Sequence, residues 1–200
     1  MNKGAMFGLD ARIALAIFGA LSVISGASLY SAIQNAKLTS MHQTVVNVEK
    51  AFEALYLDLG EIPNRPSSST KNAQYLIDNV DNLKTWKGPY LSFDRDLTLN
   101  DTYFIVDKML FNINTGAPSP SVCNGGKNKT GHYYLRIFYI ADDINNLPIA
   151  DCSIPISLAH AFHDKFDKDG SYTTGKIIVT TPYADTTRAT INIPMDLNHQ

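Results

Sequence analysis

Two hundred residues with a formal net charge of −2 leave room for one domain, and the length alone argues against two. The near-neutral balance excludes a basic stripe able to neutralise phosphates, so no nucleic acid partner is expected. Whole-chain composition points to no partner class; the distribution of residues along the chain is more informative.

No charged residue occurs from Ile13 to Ile33. At about 1.5 Å per residue this stretch makes a helix about 30 Å long, the thickness of a bilayer's hydrocarbon core. Its hydrophobicity is mild, with Ser22, Ser25, Ser28 and Ser31 among the apolar residues. Ser25-Gly26-Ala27 would also suit a signal peptidase, so cleavage there is the competing reading.

The residues that follow favour a retained helix. Leu38, Met41, Val45, Val48, Phe52, Leu55 and Leu59 recur at spacings of three and four, which puts them on one stripe. His42, Gln43, Asn47, Glu49, Lys50 and Glu53 lie between them. No proline precedes Pro63, and no glycine lies between Gly26 and Gly60. One helix from near Leu9 to Leu59 is therefore expected, apolar all round at first and one-sided later. Gly60 and Pro63 should end it.

Beyond a polar loop, Tyr75, Leu76, Val80 and Leu83 predict a short helix within Lys71–Lys84. Trp86, Tyr90 and Phe93 follow in an aromatic turn, expected to clamp that region to the long helix rather than to form a binding surface. Strands are expected at Tyr103–Phe111, Tyr133–Ile140, Lys176–Thr180 and Ala189–Ile193, from their aromatic and β-branched content. A loop at Asn112–Gly131 and a helix at Ile156–Phe166 lie between them. The expected fold class is α+β, a long N-terminal helix packed on an antiparallel sheet of about four strands. Cys123 and Cys152 are the two cysteines. In an exported domain they are expected to form a disulfide, closing a loop of about 30 residues and adding about 3–4 kcal/mol in the chain-entropy model.

The N-terminus Gly4-Ala5-Met6-Phe7-Gly8-Leu9-Asp10, with its apolar run through Phe18-Gly19, resembles type IV pilins and type II secretion pseudopilins. In that superfamily a prepilin peptidase removes a short basic leader and the new N-terminus is methylated. The resemblance places the cut between Ala5 and Met6, with Lys3 in the leader. Asp10 then matches the acidic residue that pairs with a neighbouring subunit's N-terminal amine and sets filament register. The family pattern has Gly where Ala5 stands and Glu where Asp10 stands, and Arg12 is a charge at a generally apolar position. Trp86-Lys87-Gly88-Pro89-Tyr90-Leu91 and the turn from Phe166 to Ile177 resemble later segments of pilin-like proteins.

The resemblance divides the chain into a leader, 1–5, a transmembrane and assembly half of the helix, 6–36, and a periplasmic globular domain, 37–200. The N-terminus is then cytoplasmic and the protein sits in a bacterial inner membrane, or outside the cell in an assembled filament. Its partners are other pilin or pseudopilin subunits and prepilin peptidase. A minor pilin at a filament tip, and a signal-anchored periplasmic binding protein or enzyme, are the alternatives. No nucleophile motif, zinc-protease motif or phosphate loop occurs, so enzymatic activity is not expected.

One metal site is considered. Asp164, Asp167 and Asp169 offer oxygens for Ca²⁺, as late loops of some pseudopilins do, although the spacing is not that of an EF-hand. His160 and His163 beside them raise the alternative of a transition metal. The plain reading is a polar helix face followed by an Asp-Gly turn.

Overall fold

Before Gly60 nothing in the chain forces a helix to stop, and α1 runs Gly4–Leu59, starting ahead of the expected Leu9. The computed structural model describes residues 4–63, 72–92, 104–106, 109–115, 133–140, 154–181 and 187–195. The expected disulfide partners Cys123 and Cys152, and the aromatic Phe93, lie outside these residues. The chain divides into two units, Met1–Ser40 and Met41–Gln200.

In the first unit every residue from Asp10 to Ile33 is exposed. Leu15, Phe18 and Val23 are 77%, 72% and 74% exposed. An 18-residue window here has a mean hydropathy of 1.9 and none of it is buried, so the helix is long and apolar enough to cross a membrane.

The second unit begins with the one-sided part of α1. Met41, Val45, Val48, Phe52 and Leu55 are buried, and Leu59 is half-buried, as the three-and-four spacing requires. Phe52 lies 5.7 Å, centroid to centroid, from Phe104, which stacks on Phe111 at 5.4 Å. Each such fully buried side chain contributes about 1.5–3 kcal/mol relative to exposure. Gly60 ends the helix at φ +76°, its N–H donating to the Tyr56 carbonyl.

The sheet is antiparallel, and the described residues give it six strands rather than about four. The expected strand Tyr103–Phe111 is two, β1 (Phe104–Val106) and β2 (Met109–Thr115), which fold back on each other. β2 thereby takes in Asn112–Thr115 from the expected loop. β3 is Tyr133–Ile140, as expected. β4, Ile154–Pro155, was not anticipated because two residues carry no periodicity; it leads into α2, Ile156–Phe166. β5 is Ile178–Thr180 and β6 is Arg188–Met195. The order is β1-β2-β3-β6-β4, with β5 also paired to β6. The helix expected within Lys71–Lys84 reduces to one 3₁₀ turn, Ala73–Leu76, started by the Asn72 side chain accepting from the Gln74 N–H. Asn79 then satisfies Leu83 through both its amide oxygen and nitrogen, which favours a turn over helix continuation.

Register places Phe111 and Ile113 of β2 beside Ile137 and Leu135 of β3, and these beside Ile191 and Ile193 of β6. That apolar row is one face of the sheet. The other face carries Asn112, Arg136 and Asn192 in a row, with Thr180 beside Thr190, and it too is buried. Arg136 Nε donates to Asn192 Oδ1 at 3.0 Å, and Asn192 Nδ2 donates to Thr180 Oγ1 at 3.1 Å. Alternation alone would have read this face as solvent-facing.

Among the described residues, β5 leaves Ile193, Pro194 and Met195 of β6 without a strand on its side. The Val179 N–H donates to the Tyr172 carbonyl, so it points away from β6, while Ile178 and Thr180 face Asn192 and Thr190. Pro194, two residues beyond Asn192, faces the same open side. It has no N–H there to leave unsatisfied, so this edge is blunted against strand addition.

The aromatic turn clamps the end of α1. Trp86 Nε1 donates to the Tyr75 carbonyl at 2.7 Å, and the Tyr90 N–H donates to that of Leu76. The Tyr90 hydroxyl donates to Asp58 at 2.6 Å and Lys87 Nζ lies 3.0 Å from the same carboxylate. The hydrogen bond from Tyr90, followed by that from Lys87, holds the Asp58 carboxyl below its ordinary range.

Candidate functional site

Of the residues proposed for subunit register and processing, Ala5 and Met6 lie in the first turns of α1, and Asp10 is exposed on the same helix. Among the described residues Asp10 makes no ion pair. Arg12 is exposed two positions on, on a different face of the helix.

The acidic turn is built at the end of α2. The helix stops at Asp167, whose backbone N–H donates to the His163 carbonyl at 2.7 Å while its own backbone is already extended. Its carboxylate Oδ2 accepts from the Ile177 N–H at 2.7 Å, which ties the helix end to the lead into β5. Asp169 Oδ1 accepts from the Ser171 N–H at 2.9 Å, an Asx turn, and Asp169 Oδ2 accepts from Thr174 Oγ1 at 3.3 Å. Gly175 closes the loop at φ +89°, where any Cβ would collide with the carboxylate oxygens of Asp167 and Asp169. Only glycine meets both demands.

His163 is the hub of this turn. It is 1% exposed; its Nε2 lies 2.8 Å from the Ser171 carbonyl and 3.4 Å from Asp169 Oδ1. Both neighbours are acceptors, so Nε2 carries the hydrogen. Nδ1 faces Asp164 Oδ1 at 3.4 Å. Tyr172 packs over the pair of histidines, stacked on His160 at 3.9 Å and edge-on to His163 at 4.8 Å. Its hydroxyl donates to Asp164 Oδ2 at 3.3 Å, and that bond pushes the phenol above its ordinary range.

The expected trio Asp164, Asp167 and Asp169 is therefore not one cluster. Asp167 and Asp169 meet, with ligand-capable atoms of His163, Asp167 and Asp169 all within 4.8 Å of one another. Asp164 sits at the other edge of the His163 ring. One helical position, about 100° of rotation, separates it from His163 and turns it away. His160 is occupied with Tyr172. Two carboxylates and a carbonyl would suit a hard cation such as Ca²⁺. In this arrangement, however, the oxygens surround an imidazole N–H, and each carboxylate already accepts a backbone hydrogen of the loop. The donor set fits a turn closed by its own hydrogen bonds better than it fits a metal.

A second feature was not anticipated. Glu49 lines a groove of about 510 Å³ with Val45 of α1, Phe162 and Phe166 of α2, and Ile193 of β6. Burial, and then Glu53 one turn on, raise its carboxyl above the ordinary value. The Glu49/Glu53 pair beside an apolar stripe, and the proline at position 194, were the available signals in the sequence.

No family model matches the chain, and neither a curated protein nor a solved structure matches it.

Proposed function

We propose that the chain is a filament subunit of the type IV pilin and pseudopilin kind, inserted in an inner membrane with its N-terminus cytoplasmic and assembled through the first half of α1. The observation that carries this reading is the change in α1 itself. Its Asp10–Ile33 portion exposes apolar side chains on every face, whereas its Met41–Leu55 portion buries one face within a folded unit. A soluble domain has no use for the first arrangement, since large exposed apolar surface marks a membrane or assembly contact. A lipid bilayer before assembly and neighbouring helices after it would both cover that surface.

In this reading Asp10 pairs with the N-terminal amine of the adjacent subunit. A carboxylate at the edge of an apolar span costs a few kcal/mol without a partner, and a cleaved Met6 amine would supply one. Arg12 would reach the cytoplasmic headgroups and favour the N-in orientation.

Intact-mass measurement and N-terminal sequencing, with and without prepilin peptidase, test the proposal. The expected product begins at a methylated Met6. A product beginning after Ala27 would remove the helix and overturn it. Asp10→Ala should leave membrane insertion intact and abolish incorporation into filaments; normal incorporation would refute the register role.

A further inference from the structure

The groove beside Glu49 lies where β5 stops pairing with β6. β5 ends its pairing with β6 at Asn192, so among the described residues Ile193, Pro194 and Met195 have no paired strand on that side; Gly175, Lys176 and Ile177, the non-strand lead into β5, line the groove with them. The second part of α1 and α2 both line this gap. His42 closes one end, stacked on Phe166 with ring centroids 4.1 Å apart.

Among the described residues, three ionisable groups line the groove: His42, Glu49 and Lys176. Burial lowers the His42 pKa, which disfavours the charged ring. Lys176 is exposed at the rim. Glu49 is half-buried in the apolar wall and makes no hydrogen bond or ion pair with any described residue. Glu53, one turn away and acidic, adds to the negative potential. A carboxylate held among apolar groups without a partner is costly, and a cation brought to it in an apolar setting relieves that cost.

The shape selects among occupants. Gly175, Lys176 and Pro194 are exposed along one side, so the groove is open there, whereas ligand cavities bury most of a small molecule's surface. Pro194 removes the N–H that would recruit an extra strand. What remains is recognition through side chains.

We propose that this groove docks a segment of a partner protein through an apolar side chain lying on Val45, Phe162 and Ile193, with an adjacent Arg or Lys paired to Glu49. The apolar residue covers the apolar walls of the groove, and the basic residue neutralises the half-buried carboxylate. This contact is separate from the exposed half of α1 and does not depend on Asp10.

The test uses the full chain in lipid nanodiscs and the peptide acetyl-Ala-Leu-Arg-Ala-amide, followed by methyl NMR. The expected result is saturable shifts at Ile177, Ile193 and Met195. Glu49→Gln should weaken binding about tenfold or more, the loss of one charge-assisted contact. Glu49→Gln removes a strained charge and leaves the fold at least as stable, so its binding loss is interpretable even if the groove-filling Val45→Trp fails to fold. Equal binding of acetyl-Ala-Leu-Glu-Ala-amide, shifts confined to other residues, or unchanged affinity in Glu49→Gln would overturn the proposal. Tighter binding of n-butylamine than of the peptide would also overturn it, in favour of a small organic cation.

Discussion

The two parts of α1 are built from similar residues and meet opposite fates. Phe18 and Phe52 are both helical phenylalanines; the first is 72% exposed and the second fully buried. Between Ile13 and Ile33 apolar residues surround the helix, so no rotation can hide them in one protein interface. From Met41 to Leu55 they occupy one stripe, which a single sheet face can cover. Apolar content alone therefore does not predict burial; its angular distribution decides whether the solvent is a protein core or something outside the domain.

The sharpest way to break this comparison is to truncate both phenylalanines. Phe52→Ala should cost about 3–5 kcal/mol in chemical denaturation of the globular unit, because it removes a side chain packed on Phe104. Phe18→Ala should change that stability by no more than about 0.5 kcal/mol. Equal losses would mean that the two halves do not differ as described.

The close packing of the second unit extends to the acidic turn, and the next tests sharpen that point. Gly175→Ala should cost about 2–4 kcal/mol, combining a left-handed backbone with a collision against two carboxylates. A cost under about 0.5 kcal/mol would show that the loop is loosely held. His163→Ala should cost about 1–3 kcal/mol by leaving the Ser171 carbonyl without its donor. Asp164→Asn, at the exposed edge of the same ring, should change thermal stability far less. Were the two variants to behave alike, His163 would not be the hub.

The smallest effects are expected in the pH profile, and they carry opposite signs. The folded-state pKa of Asp58 is lowered, so its contribution is present above the ordinary value of 3.8 and is lost as pH falls through the lowered one. Asp58→Asn should flatten the acid limb of the stability curve. The folded-state pKa of Glu49 is raised, so stability declines as pH rises from the ordinary 4.5 through the raised value. Glu49→Gln should remove that decline and leave the protein at least as stable at pH 7. Thermal melts from pH 3 to pH 7 read both; a Glu49→Gln variant that melts lower at pH 7 would contradict the sign.

Much of the helical structure was legible from local pattern. The stripe from Met41 to Leu55, the stop at Gly60 and the span of α2 follow from spacings of three and four and from residues that cap or break helices. β3 was readable for the same kind of reason, an eight-residue run of which six are aromatic or β-branched. The 3₁₀ turn at Ala73–Leu76 was not, because Asn79 bonding competes with the helix at a point where the apolar spacing still suggested one.

What only the tertiary structure decided depends on residues far apart in the chain. Arg136 and Asn192 form a buried polar row because β3 and β6 pair in one register, and nothing in either strand alone distinguishes that face from a wet one. Asp167 and Asp169 were recognisable as an acidic turn, but the bond from the Ile177 N–H to Asp167 and the approach of Asp169 to His163 required the loop to return to β5. The groove at Glu49 needed α1, α2 and the short β5 in place together. Local periodicity sets which face of an element is apolar; which faces meet, and which carboxylates are left without a partner, is settled when distant segments compete for the same surface.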